Sequence, residues 1–469
     1  MLDFIRWDSK LIDRYDQADP NYSGYPEAIH FHRGIGSLDL LRALRSSRQA
    51  QLPLSLYVQL PFCGNRRSFG DDQDPTGERS NISSYLHRLE CEINLISSHL
   101  GPRQWVQQFH LGGGVPGAAE LRWLMSHLRK RFNWPNFDSG DYNIEIDPPH
   151  ADWSTMGFLS EQGFNHVSIG VPDSDMTDMG AVAYFQSSAQ IRSLIDAART
   201  LHYRSVNVDL GFGRLWQTPA SFARKVAAII ELQPDRLTVF DYAYPPQRYK
   251  LRRWVAAGGL SCREDKLVMR QHCIKELTAA GYRFIGMGQF VLPDDDLAIA
   301  QESGRLQRSC QGYTRHGRCD HVGLGVSAIS QIGDLYVQNT SDLERYQEQL
   351  NMGQLATDRG LRCEAVDLVR REVIERLVCD FELDLRSIDD RYGLVFRDYF
   401  SASWPLLKQM DRDGLIVLGD DFISIPPAGR LLVGAVCKAF EHDTDAHSPK
   451  ALRRSSADQR VAADRKLTQ

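Results

Sequence analysis

From about Leu54 to Gln338, short apolar runs alternate with longer stretches whose apolar residues recur every three or four positions. LSLYVQL (54–60), WVQQFHL (105–111), YNIEIDP (142–148), HVSIGV (166–171), SVNVDLGF (205–212) and RLTVFDYA (236–243) read as strands. SYLHRLECEINLISSHL, AELRWLMSHLRKRF, SSAQIRSLIDAARTL and SFARKVAAIIELQ read as amphipathic helices between them. FIGMGQF (284–290) reads as one further strand. The strand runs look nearly continuously apolar, the pattern of a parallel sheet covered by helices. This is an α/β chain. Six or so units in tandem predict a complete or partial (β/α) barrel rather than an open doubly wound sheet. In either case functional groups belong at the carboxyl ends of the strands.

The flanks have a different character. Residues 1–50 read as an N-terminal arm, with Pro20, Gly24 and Pro26 punctuating a loop that bears Tyr22 and Tyr25, then a short helix around Leu38–Ser46. The barrel is expected over 51–355. Beyond it, EAVDLVRREVIERLVCDFELDL, FRDYFSASWPLLKQMDRDGL and GRLLVGAVCKAF are helical in pattern. LIVLGDDFISI reads as a hairpin turning at Gly419–Asp420. Together they predict a C-terminal helical, winged domain over 356–440. Residues 441–469 are polar and nearly free of large apolar groups, so disorder is expected there.

Composition narrows the function classes. A net charge of -5 argues against a nucleic-acid binder, and the wing carries no basic cluster that would mark it as a DNA reader. No apolar run is long enough to cross a bilayer, and the N-terminal stretch MLDFIRWDSKLIDRYDQ lacks the apolar core of a signal peptide. A cytoplasmic, monomeric protein is the expectation. The nine cysteines (Cys63, Cys91, Cys262, Cys273, Cys310, Cys319, Cys363, Cys379, Cys437) are odd in number and include no C-x-x-C pair, so they do not form a disulfide framework. His316, Cys319 and His321 have the composition of a zinc site but not the spacing of a common one.

The most informative stretch is LYVQLPFCGNRRSFGDD (56–72), a strand running through Pro61-Phe62-Cys63 into a polar loop. With HLGGGVP (110–116), YNIEIDP, GFNHVSIGV (163–171), VNVDLGFG (206–213), LQPDRLTVFDYA (232–243), GYRFIGM (281–287), LPDDDLAIAQ (292–301), QGYTRHG (311–317), GLGVSAISQIGDLY (323–336) and the terminal GRLLVGAVC, it resembles the oxygen-independent coproporphyrinogen III oxidases. The resemblance spans about residues 1–440. It implies a radical-SAM partial barrel and a place in porphyrin and haem biosynthesis. The family's activity is oxidative decarboxylation of two propionates of coproporphyrinogen III. Its cofactors are a 4Fe-4S cluster and S-adenosyl-L-methionine.

The resemblance also exposes a departure. The family holds its cluster with thiolates spaced C-x3-C-x2-C, because soft anionic sulfur stabilises the iron. Here Cys63 occupies the first position, but Arg67 and Gly70 stand in the other two, and Asp72 stands where many members carry a further cysteine. Gln59 replaces a histidine, Val115 a threonine, and Pro172 a glutamine. Tyr184 stands for an arginine, Arg214-Leu215 for Leu-Pro, and Gly288-Gln289 for Asp-His. Tyr57, Phe69, Gly113, Gly114, Glu145, Asp209, Ala243, Gln311 and Ile329 match the family's S-adenosylmethionine-contacting positions. The expected ligand is a tetrapyrrole or an S-adenosylmethionine-like small molecule. Three readings follow: a catalytically degenerate binding protein, a working dehydrogenase with unusual ligands, and a non-radical enzyme in the same cavity. No nucleophile–base pair supports the third. Cys63 reads as a relic, its alternative being a lone reactive thiol; a cluster rebuilt from distant thiols such as Cys310 is a separate and lesser reading.

Overall fold

The computed structural model describes residues 5–16, 24–61, 78–101, 104–134, 139–171, 176–242, 259–309 and 311–441, without the side chains of 78–81 and 176–187. Strands β1 (Leu54–Gln59), β2 (Val106–Gly112), β3 (Asp141–Ile146), β4 (His166–Gly170), β5 (Ser205–Phe212) and β6 (Arg236–Asp241) follow one another in the sheet, each parallel to the next. Helices Glu78–His99, Ala118–Arg131, Trp153–Glu161, Met176–Thr200 and Pro219–Leu232 make the crossovers. FIGMGQF is two strands rather than one, a hairpin of β7 (Arg283–Gly286) and β8 (Gln289–Val291). The φ of Met287 is 46° and of Gly288 77°, left-handed values that turn the chain back. A Cβ on Gly288 would lie 2.1 Å from the Val239 carbonyl oxygen, so the turn runs close against β6 here.

After a short hairpin of β9 (Gln307–Ser309) and β10 (Gly312–Thr314), β11 (Asp320–Leu324) pairs parallel to β1. β12 (Ile329–Ile332), β13 (Leu335–Asn339) and β14 (Thr357–Arg362) extend the sheet antiparallel, so it runs past residue 355. The twelve strands lie in the order β14-β13-β12-β11-β1-β2-β3-β4-β5-β6-β8-β7.

The parallel strands are not uniformly apolar. They alternate. Leu54, Leu56 and Val58 on β1, Phe109 and Leu111 on β2, Ile144 on β3, and Val206, Val208 and Leu210 on β5 are buried against the helices. The intervening residues are polar and face the lumen. Isoleucine, valine and leucine on one face hid this period of two in the sequence. At the start of β1 the pairing to β2 slips by a residue, Leu54 facing Val106 and Ser55 facing Gln108. The bulge sets Gln108 and His110 in phase with the lumen.

The helix expected around Leu38–Ser46 extends over Ser37–Ala50. The C-terminal segment carries helices Ala365–Asp380, Leu385–Tyr392, Phe396–Tyr399 and Trp404–Arg412. Its small antiparallel sheet is β15 (Glu382–Asp384), β16 (Val417–Leu418) and β17 (Phe422–Ser424), ordered β15-β17-β16. The arm ties to it: Tyr15 donates to Asp413, Arg6 N–H donates to the Pro427 carbonyl, and Tyr25 donates to Asp367 at 2.6 Å. The tail beyond residue 441 lies outside the described residues.

Candidate functional site

The lumen holds a polar cavity of about 420 Å³. Its wall is layered because parallel strands put every second side chain inward. The floor, at the amino ends of the strands, is organised by Asp141. Arg315 contacts it at 2.8 and 3.1 Å, His316 at 3.0 Å, Arg204 at 3.2 Å and His166 at 3.3 Å. Burial alone would raise the Asp141 pKa. Hydrogen bonding from His166, His316 and Arg315 outweighs it and holds the carboxyl well below the usual carboxylate range. Arg204 and Arg315 also reach Asp296, at 3.2 and 3.3 Å. His316, Cys319 and His321 do not converge. His316 turns to Asp141, His321 Nδ1 lies 3.2 Å from Ser55 Oγ, and burial pushes the Cys319 thiol up to about 12. Among the described residues no three His, Cys, Asp or Glu side chains form a metal-ligating group.

The middle layer is a girdle of hydrogen-bonding side chains. His110 meets Asn143 at 2.9 Å, Asn143 meets Ser168 at 3.3 Å, and Asn207 meets Ser168 at 3.5 Å. Thr238 Oγ1 donates to Asn207 Oδ1 at 3.0 Å and lies 3.2 Å from Gln289 Oε1. Toward the mouth stand two carboxylates. Glu145 accepts from His110 at 3.0 Å and from the Gly113 N–H at 3.2 Å, while Asp209 accepts from Asn207 at 2.9 Å. Asp209 is not at a strand end, as its motif suggests, but inside β5.

Of the positions singled out from sequence, Glu145, Asp209, Gln289 and Gln311 line one cavity. Tyr57 stacks on the His110 ring, 5.5 Å between centroids, and donates to Gln59. Gly113 and Gly114 take φ of 91° and 101°, and a Cβ on Gly113 would lie 1.9 Å from the Leu60 carbonyl oxygen. That turn brings its N–H to Glu145. Ile329 is not brought to the cavity; on β12 it packs with Phe31, Tyr336 and Cys363. Cys63, Arg67, Phe69, Gly70, Asp72, Pro172, Ala243 and Cys310 lie outside the described residues, as does the side chain of Tyr184. His110, Asn143, His166, Ser168, Asn207, Thr238 and Arg315 were missed. Asn143, His166, Ser168 and Asn207 stand at alternate places in YNIEID, HVSIG and SVNVDL, but nothing local marks any of the seven as neighbours.

Residues 364–432 match the HemN C-terminal domain model. Over 445 residues the chain is 53% identical to the oxygen-independent coproporphyrinogen III oxidase of Pseudomonas aeruginosa, covering 94% of this chain and 97% of that one. The chain belongs to the oxygen-independent coproporphyrinogen III oxidase family. The Escherichia coli oxidase is 38% identical over 441 residues, covering 93% of this chain and 95% of that one. The solved Escherichia coli coproporphyrinogen III oxidase (HemN), described as a radical SAM enzyme, superposes with a TM-score of 0.81 at 36% identity, over 93% of this chain and 99% of that one. The expected radical-SAM barrel with a C-terminal helical domain is therefore the observed fold. Among the described residues of this oxidase-family chain, no helix is long and apolar enough to cross a membrane.

Proposed function

We propose that this chain is a coproporphyrinogen III oxidase-like protein of porphyrin and haem metabolism. Its lumen binds an S-adenosylmethionine-like nucleoside or a tetrapyrrole, and the family's radical chemistry has been lost. The observation that carries this reading is the donor set on the loop after β1. Arg67 is cationic and Gly70 has no side chain, which leaves Cys63 as the one thiolate of the C-x3-C-x2-C positions. One thiolate does not fit a four-iron cluster, whose iron is held by several soft anionic ligands. Five of the seven described cysteines offer poor replacements. Cys319 precedes β11, which runs parallel to β1, so it stands at the opposite end of the barrel from the Cys63 loop. Cys273, Cys363, Cys379 and Cys437 are buried.

The retained Glu145–Gly113 contact, Asp209 and the amide girdle support binding rather than turnover. Carboxylates and amides recognise hydroxyl and amino groups without needing a metal.

The second reading is a working coproporphyrinogen III dehydrogenase with unusual cluster ligands. Similarity favours it, since 53% identity runs through nearly the whole chain and the curated relatives carry that activity in their names. The donor set opposes it. Equilibrium binding of S-adenosylmethionine and of coproporphyrin III to metal-free protein, paired with an anaerobic assay for protoporphyrinogen formation, separates them. Saturable binding without product supports the first reading. Product formed at the rate of a family oxidase would overturn it.

A further inference from the structure

Gln289 on β8 lies beside Thr238 of β6, its register partner. Its Nε2 is 3.3 Å from the Leu237 carbonyl and 3.4 Å from Asn207 Oδ1. A backbone carbonyl only accepts, so the NH₂ end of Gln289 must face it. Asn207 therefore receives on its oxygen, from Gln289 and from Thr238 Oγ1 at 3.0 Å. Its own NH₂ is turned the other way, to Asp209 Oδ1 at 2.9 Å. A carboxylate likewise only accepts. The chain of donation from Gln289 through Asn207 to Asp209 is thus fixed in polarity at both ends.

We propose that Gln289 is a positioning residue which, by setting the direction of the Asn207 amide, holds the Asp209 carboxylate as a fixed acceptor facing the cavity. The ligand group it serves is one that donates hydrogen bonds, a hydroxyl pair or an amine. This deepens the binding-chamber reading and rests on it for the ligand, but the relay itself exists in the free protein. An amide is suited to this work because its polarity does not change with pH, whereas an ionisable side chain at the same place would reverse or blur the direction.

The relay makes a prediction that simple packing does not. Gln289→Glu is isosteric, but its ionised carboxylate cannot donate to the Leu237 carbonyl or to Asn207. Asn207 then turns over and presents its oxygen to Asp209, acceptor against acceptor. At pH 8 the thermal midpoint of the metal-free full chain should fall by about 2 °C or more. Part of that loss should return at pH 4.5, where the introduced carboxyl takes up a proton and donates again. Adding Asp209→Asn should also restore part of it at pH 8, because the new amide donates to the turned Asn207 oxygen. Independent, additive losses from the two substitutions at both pH values would overturn the relay.

If Gln289→Glu does not fold, Gln289→Met removes both donors without adding charge. A high-resolution structure of that variant should show Asp209 released from Asn207, and an unchanged 2.9 Å contact would overturn the proposal. None of these measurements needs a ligand. A failed relay therefore leaves the binding reading standing, and a failed binding experiment leaves the relay standing.

Discussion

The floor and the mouth of the same barrel are built from similar side chains and have opposite fates. At the floor, Asp141 is enclosed by Arg204, Arg315, His166 and His316, and Arg315 and Arg204 go on to Asp296. Its charges are consumed by one another. At the mouth, Glu145 keeps nearly half its side-chain surface exposed, and the neighbouring loop carries one thiolate where the family carries three. Charge at the floor closes the barrel against the hairpin of β9 and β10, whereas charge at the mouth borders the open cavity. A carboxylate in a strand motif does not by itself say which it is. The number of cations that reach it does.

The largest expected effect tests the proposed loss of the cluster ligands at the mouth. Arg67→Cys with Gly70→Cys should raise iron from well under one per chain to about four after anaerobic reconstitution. Protoporphyrinogen formation should stay very low, since Gln59, Val115, Pro172, Tyr184, Gly288 and Gln289 are unchanged and misplacement by about 1 Å costs on the order of a hundredfold. Turnover equal to a family oxidase would show that the rest of the mouth is intact.

Removing the centre of the floor comes next. Asp141→Ala removes at once the acceptor shared by Arg204, Arg315, His166 and His316 and should cost about 3–5 kcal/mol in chemical unfolding. Because the folded pKa of Asp141 is depressed, its stabilisation is present above the ordinary carboxylate pKa and disappears as pH falls below it. Asp141→Asn should therefore flatten the acid limb of the stability profile. An unchanged acid limb would mean that the floor charges are not coupled to folding.

Glu92 gives a pH dependence of the opposite sign. It is fully buried between the Gly325 N–H at 2.8 Å, Asn339 at 2.6 Å and the Tyr346 hydroxyl at 2.7 Å. Burial raises its pKa from 4.5 to about 7, against those hydrogen bonds. The stability it contributes is complete below about 4.5 and is lost as pH rises through 7. The loss is on the order of 3 kcal/mol. Glu92→Gln should remove that slope between pH 5 and 8, and a profile parallel to that of the unaltered chain would contradict the assignment.

The smallest effect is expected at the mouth. Glu145→Gln should move stability by less than about 1 kcal/mol, because the pair with His110 is half exposed. S-adenosylmethionine binding should nevertheless weaken, which a calorimetric titration would read. A large stability loss would place Glu145 with the floor residues.

The β-α alternation, the wing hairpin and the glycine turn at Gly113 were legible in the sequence because each is a local pattern. The resemblance carried the loop after β1 just as directly, since Arg67 and Gly70 need no structure to be recognised as non-ligands. The lumen was not legible. Asn143, Ser168, Asn207 and Thr238 are ordinary strand residues until register sets them side by side, and register is a property of pairs of strands. The β7–β8 hairpin was hidden because Gly286, Met287 and Gly288 interrupt the run by conformation rather than by polarity. His316 and His321 looked like neighbours in a motif, but the turn into β11 sends one to Asp141 and the other to Ser55.

The decisive quantity is the iron and acid-labile sulfide bound by the unaltered chain after anaerobic reconstitution and desalting. A mouth with Cys63 alone should retain far less than one cluster per chain and show no cluster absorbance. Iron and sulfide near four each per chain, with absorbance that survives desalting, would contradict the loss of the cluster and return the chain to the working oxidases.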